Sequence, residues 1–247
     1  MRRLSYLLIL LALTAAGVRA GEAVTYTVSG DEFEGYFAQA EDAKGFVLLL
    51  HDWDGLTAYE KQRAEMLAEG GYSVFAADLF GAGVRPTAVE DKRQHTGELY
   101  ADRERLRALM RGALAVAEER GAAVDNAVAM GYCFGGAAVL ELARAGEPLR
   151  GFATFHGGLG TPEGQDYDAV AGPVAVYHGS ADRAVTLADF VALAEALEAA
   201  GVAHEMTSYG GARHAFTVFN GGRYQAKADK LSWRAFYDFL ARVLDEA

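Results

Sequence analysis

The sequence predicts an α/β chain in which a mostly parallel sheet carries helices on both faces. Three observations predict it. Short apolar runs alternate along the chain with longer segments whose apolar residues recur at helical spacing. Some runs, such as residues 45–50 (GFVLLL), are apolar without interruption, as strands buried on both faces are. Polar clusters follow the runs at their carboxyl ends, which in such sheets gather on one edge, where ligands bind.

The elements follow in order. Residues 24–28 and 34–38 read as short strands, and 45–50 as a central strand running into the polar loop His51-Asp52-Trp53-Asp54-Gly55. Residues 59–69 read as a helix closed by Gly70-Gly71, and 72–77 as the next buried strand. Residues 78–97 show no clear period and read as a long loop of the kind that is often functional. Residues 98–120 read as one strong helix, with Leu99, Leu106, Leu109, Met110 and Leu114 at helical spacing. Residues 126–130 form a strand that enters Gly131-Tyr132-Cys133-Phe134-Gly135-Gly136, and a small-residue helix leaves it over 137–145. Residues 152–155, 173–177 and 204–209 are strands, and 187–200 a helix. A terminal helix spans 227–245, with Leu231, Phe236, Phe239, Leu240 and Val243 expected on its inner face. No repeat, linker or low-complexity segment interrupts residues 21–247, so a single domain is expected there.

Composition narrows the function. The chain has 247 residues, 51% of them hydrophobic, enough for a full core. Its formal charge of -11 argues against nucleic acid and anionic membrane surfaces as partners. Residues 1–20 read as a signal peptide: Arg2 and Arg3, then an apolar leucine-rich stretch, then Val18-Arg19-Ala20 with small residues where a signal peptidase reads. Cleavage after Ala20 places the protein in the periplasm or outside the cell; an uncleaved anchor is the alternative. Cys133 is the only cysteine, so no internal disulfide forms, and a redox role lacks a resolving thiol. The histidines show no metal-binding spacing, and neither metal nor cofactor is expected.

The strand–turn–helix around Cys133 fits the nucleophile elbow of the α/β-hydrolase fold, with cysteine in place of serine. Gly131 and Gly135 leave room for a strained turn. A helix N-terminus beside the sulfur favours a thiolate. In that fold the catalytic groups occur in the order nucleophile, acid, histidine, and Cys133, Asp182 and His214 satisfy it. His214 would take the thiol proton or hold the thiolate, and Asp182 would orient the imidazole. Phe134 would supply one oxyanion-hole N–H and the loop after residue 50 the other, from Trp53. His156 and His178 more often serve structure, bonding loop backbone, although His156 also counts as a candidate substrate contact.

HDWDGL, AADLFG, GYCFGG, FATFHGGLGTP, YHGSAD and SYGGARHAF, in this order, resemble the dienelactone hydrolase family over nearly all of residues 21–247. The resemblance implies a cysteine–aspartate–histidine triad at Cys133, Asp182 and His214, with oxyanion donors at Phe134 and Trp53. It implies that Asp52, standing where the family commonly has glutamate, takes part in activating the thiol. It also puts Ala82 and Val218 where the type member holds its substrate carboxylate with arginines, leaving Arg85 and Arg213 as nearby substitutes. The expectation is an exported hydrolase of a small ester or lactone that works through a thioester. The alternative is a non-catalytic ligand-binding protein that keeps the hydrolase fold.

Overall fold

The computed structural model describes residues 20–244, so the leader predicted over residues 1–20 lies, apart from Ala20, outside the described residues. In chain order the elements are β1 (Glu22–Val28), β2 (Asp31–Ala38), β3 (Phe46–Leu50), α1 (Ala58–Glu69), β4 (Ser73–Ala77), α2 (Val89–Ala101) and α3 (Arg103–Glu119), then β5 (Ala127–Tyr132), α4 (Phe134–Arg144), β6 (Gly151–Phe155), β7 (Val174–Gly179), α5 (Leu187–Ala199), β8 (His204–Tyr209) and α6 (Ala226–Leu244). The strands form one sheet in the order β1-β2-β4-β3-β5-β6-β7-β8. β1, β2 and β4 pair antiparallel, and every pair from β4 to β8 is parallel. The antiparallel start follows from the turn: Ser29 and Gly30 both take positive φ, as a two-residue hairpin loop requires.

β3 through β7 are buried along their whole length, so they carry no alternation of apolar and polar residues. Their residues still divide between two cores. Phe46, Leu48 and Leu50 point to the side covered by Leu106 and Met110 of α3, Leu142 of α4 and Leu197 of α5. Val47 and Leu49 point to the other side, under Leu67 of α1 and Phe236, Phe239 and Leu240 of α6. The carboxyl ends of the parallel strands therefore meet on a single rim, held from both faces.

Three expectations need correction. Residues 89–97 are not loop but the first part of α2. That helix buries only Thr96 and Leu99 and has no side-chain cap, so it offers no apolar stripe to read. The helix expected over 98–120 is two helices. The chain breaks at Asp102 (φ −112, ψ 81), whose carboxylate accepts the Arg105 N–H at 2.9 Å and caps α3. Leu231 is exposed: the inner stripe of α6 runs through Ala228, Ser232, Phe236 and Phe239, and Leu231 lies off it, while Val243 is only partly covered.

Candidate active site

The rim is dominated by the turn between β5 and α4. Cys133 sits there with φ 50 and ψ −109, a conformation few residues other than glycine adopt. The neighbours make it possible. A Cβ on Gly131 would collide with the Gly135 backbone, and one on Gly135 with the carbonyls of Leu50 and His51. That close approach is also bonded, with the Gly135 N–H donating to His51 O at 3.0 Å. The turn is thus stitched to the loop after β3, and Cys133 N–H donates to Phe155 O of β6 at 3.1 Å.

The loop after β7 and the loop after β8 bring two more groups to the sulfur. His214 Nε2 lies 3.1 Å from Cys133 Sγ, and His214 Nδ1 lies 2.7 Å from Asp182 Oδ2. Asp182 Oδ1 accepts the N–H groups of Ala184 and Val185 at 2.8 and 3.0 Å, which fixes the carboxylate. Burial works against its charge, but the His214 bond and these two N–H groups prevail and hold it below the usual aspartate range. The three residues expected from the sequence therefore stand in one hydrogen-bonded line.

The thiol does not behave as the helix N-terminus alone suggests. Burial first, and then the Asp52 carboxylate, push its pKa well above the ordinary value, against the helping Phe134 N–H. Asp52 reaches it despite its short side chain: the two groups are hydrogen-bonding neighbours. Burial, with Asp54 nearby, pushes Asp52 up to about 6. Its Oδ1 accepts the Trp53 N–H at 2.6 Å, so the donor expected for the oxyanion hole is occupied in this state. Behind Asp52, its own N–H donates to the buried Glu60 at 3.3 Å, and Glu60 also closes a capping box with Thr57 at the start of α1.

A cavity of about 320 Å³ opens over the thiol. Trp53, Tyr100, Phe134, Val185 and Ala215 give it an apolar lining, and His214, Asp52 and Arg223 its polar one. Tyr100 and Thr96 come from α2, and Arg223 from the loop before α6. Sequence reasoning passed over all three. Tyr100 fell within the helix expected from residue 98, but Thr96, one turn earlier on the same face, lay in the stretch read as loop.

The candidate substrate contacts fare differently. Arg85 is not one: its guanidinium is spent on the carbonyls of Leu56, Gly81 and Val84 and on Asp78 at 3.6 Å. His156 is fully buried behind the site, bonding Thr217 Oγ1 at 2.8 Å with its ring edge-on to His214, and it does not line the cavity. Burial and the nearby His214 push its pKa far down, so it stays neutral. Arg213 is exposed and lines an adjoining cavity beside His214, not the one over the thiol. His178 bonds no loop backbone; it is buried against Phe190. Among the described residues, no group of three or more histidine, cysteine, aspartate and glutamate side chains could hold a metal ion.

The profile of the dienelactone hydrolase family matches residues 33–244, which span the whole sheet from β2 onward and every group named above. This chain belongs to the dienelactone hydrolase family. It is accordingly a hydrolase of the carboxylic-ester class. Solved relatives agree in shape. A dienelactone hydrolase-like promiscuous phosphotriesterase from metagenomic libraries is 29% identical with a TM-score of 0.85, over 92% of this chain and 99% of that one. A dienelactone hydrolase from Klebsiella pneumoniae, described as putative, shares the fold at 20% identity and a TM-score of 0.74, over 90% of this chain and 99% of that one. An uncharacterized protein of Caenorhabditis elegans is 33% identical over 121 residues, 45% of this chain and 77% of that protein. Family membership covers the fold and the class of reaction; the roles of individual side chains rest on the geometry.

Proposed function

We propose that this member of the family is an exported thiol hydrolase that cleaves a small ester or lactone with Cys133 as nucleophile, His214 as base and Asp182 as its orienting acid. The observation that carries the reading is the unbroken line from Sγ through the imidazole to a carboxylate, ending in the cavity. The substrate carbonyl oxygen enters beside the Phe134 and Trp53 N–H groups. The Trp53 N–H must then leave Asp52, so substrate binding and the release of that carboxylate are one event. His214 takes the thiol proton as sulfur attacks the acyl carbon. The C–O bond to the leaving group breaks, and His214 returns the proton to that oxygen. Water, activated by His214, then hydrolyses the thioester and frees the acid. Asp52, once freed from the Trp53 N–H, then takes part in activating the thiol.

The test is turnover of p-nitrophenyl acetate by the wild type and by Cys133→Ala. The variant is expected to lose activity to the uncatalysed level, because among the described residues His214 Nε2 bonds no nucleophile other than Cys133. Undiminished turnover would overturn the assignment. Export is tested separately by sequencing the amino terminus of the protein recovered from the periplasm or medium of an expressing cell. A start at Gly21 is expected; protein retained inside the cell with Met1 in place counts against it.

A further inference from the structure

A second cavity of about 300 Å³ adjoins the first at His214. It is lined by Arg183, Arg213 and Arg223 with Ala181, Ala184 and His214, and shares Ala184, His214 and Arg223 with the cavity over the thiol. None of the three arginines has a carboxylate partner among the described residues. Other exposed or half-exposed arginines do find one, as Arg105 with Asp31, Arg111 with Glu147, Arg120 with Glu22 and Arg242 with Glu205. Exposed Arg93, Arg150 and Arg234 do not, but none of them lines this hollow. In a chain with 34 acidic residues against 23 basic, three guanidiniums free of carboxylates around one hollow are a positive spot in a negative field. Asp182, which bonds His214, is already spent on that imidazole and two backbone N–H groups.

The position says which part of a substrate would meet them. In the proposed mechanism the Phe134 and Trp53 N–H groups hold the carbonyl oxygen, while His214, 3.1 Å from Sγ, borders both cavities. The histidine hands its proton to the departing oxygen, so the leaving group lies against it and extends past it. The apolar lining is left for the acyl part. We propose that the leaving group of the natural ester carries a phosphate-like dianion bound by Arg183, Arg213 and Arg223. A single carboxylate is satisfied by one guanidinium fork; three forks around one hollow suit a tetrahedral oxyanion of higher charge. The proposal rests on the thiol-hydrolase reading for its orientation. The covalent step is unchanged: the acyl–oxygen bond breaks, the acyl–sulfur bond forms, and the phosphorylated alcohol departs with the proton from His214.

The test compares phenyl acetate, 4-acetoxybenzoate and 4-acetoxyphenyl phosphate, which share an acyl group and differ in the charge on the leaving group. In the wild type kcat/KM for the phosphate is expected to exceed that for phenyl acetate by about tenfold or more at low salt, with the benzoate between them. In R183Q/R213Q the ratio is expected to collapse towards one. A wild-type ratio of one, or a ratio the substitutions leave untouched, overturns the proposal. A second arm does not depend on catalysis: inorganic phosphate is titrated calorimetrically into the full-length wild type and R183Q/R213Q. Binding weakened by about tenfold in the variant supports the site, and equal affinity refutes it. Should none of the three esters be hydrolysed, the thiol chemistry fails, and the titration still decides the anion site.

Discussion

Cys133 and Asp52 oppose one another at rest, and that opposition can be measured. The carboxylate raises the thiol's pKa, so removing its charge should lower it. Asp52→Asn is therefore expected to be alkylated by iodoacetamide at pH 7 faster than the wild type, by roughly tenfold, as read by mass spectrometry over time. Equal rates would show that Asp52 does not govern the sulfur. Asp182→Asn leaves the imidazole without its anchor, and turnover of p-nitrophenyl acetate should fall by about a thousandfold or more while the fold is kept. A loss of less than tenfold would remove Asp182 from the mechanism. At this scale the sequence was informative where chain order carries meaning: Cys133, Asp182 and His214, which meet at the rim, could be found by their places after strands. It was silent where meaning lies in a rotamer. Nothing in HDWDG tells that the Asp52 carboxylate folds back on the Trp53 N–H, or that Arg85 turns into its own loop.

Elements divide into those the sequence could place and those it could not, and the glycines show why. In the elbow, a methyl group at Gly135 would strike the carbonyls of the adjacent loop, so Gly135→Ala is expected to give insoluble or unfolded protein. In α2, Gly97 faces open space, and Gly97→Ala should stabilise the protein by up to about 1 kcal/mol, raising Tm by about 2–4 °C. A fall in Tm at that position would show that α2 is held by something other than its own helical preference. The same helix escaped sequence reading for a related reason. Central strands declare themselves by unbroken apolar runs, and α3 by a buried stripe of Leu106, Leu109, Met110, Ala113 and Leu114. α2 buries two residues and lies over the cavity, so the pattern that reveals a helix is absent from it. The long polar stretch contributes Thr96 to the cavity lining, yet its shape was hidden.

Across the whole molecule, charge burial sets a pH response. Burial is the main cause that raises Glu60 from 4.5 to about 7. The folded protein thus holds this proton more tightly than the unfolded chain. The resulting stability is fully present below about pH 4.5 and is lost as pH rises through about 7, an effect on the order of 3 kcal/mol. Asp52, raised from 3.8 to about 6, acts in the same direction. The wild type is therefore expected to lose Tm between pH 5 and pH 8, and Glu60→Gln to lose less over the same range. Parallel pH profiles for the two proteins would refute the assignment. The order of strands was not legible at all, since the antiparallel placement of β2 beside β4 depends on contacts far apart in the chain.

The loop that carries His214 hangs from a buried pair. Arg63 of α1 bonds Asp229 of α6, donates to Thr217 O at 2.8 Å, and lies over the rings of Phe219 and Trp233 at 4.1 and 4.6 Å. Thr217 Oγ1 in turn meets Tyr59 and His156, whose ring abuts His214. The His214 loop is thereby moored to two helices on the same flank of the sheet. Gentle urea should disarm the enzyme before it unravels, with the inactivation midpoint falling below the midpoint followed by far-ultraviolet circular dichroism. Superimposable curves would mean that the imidazole's footing and the sheet give way together.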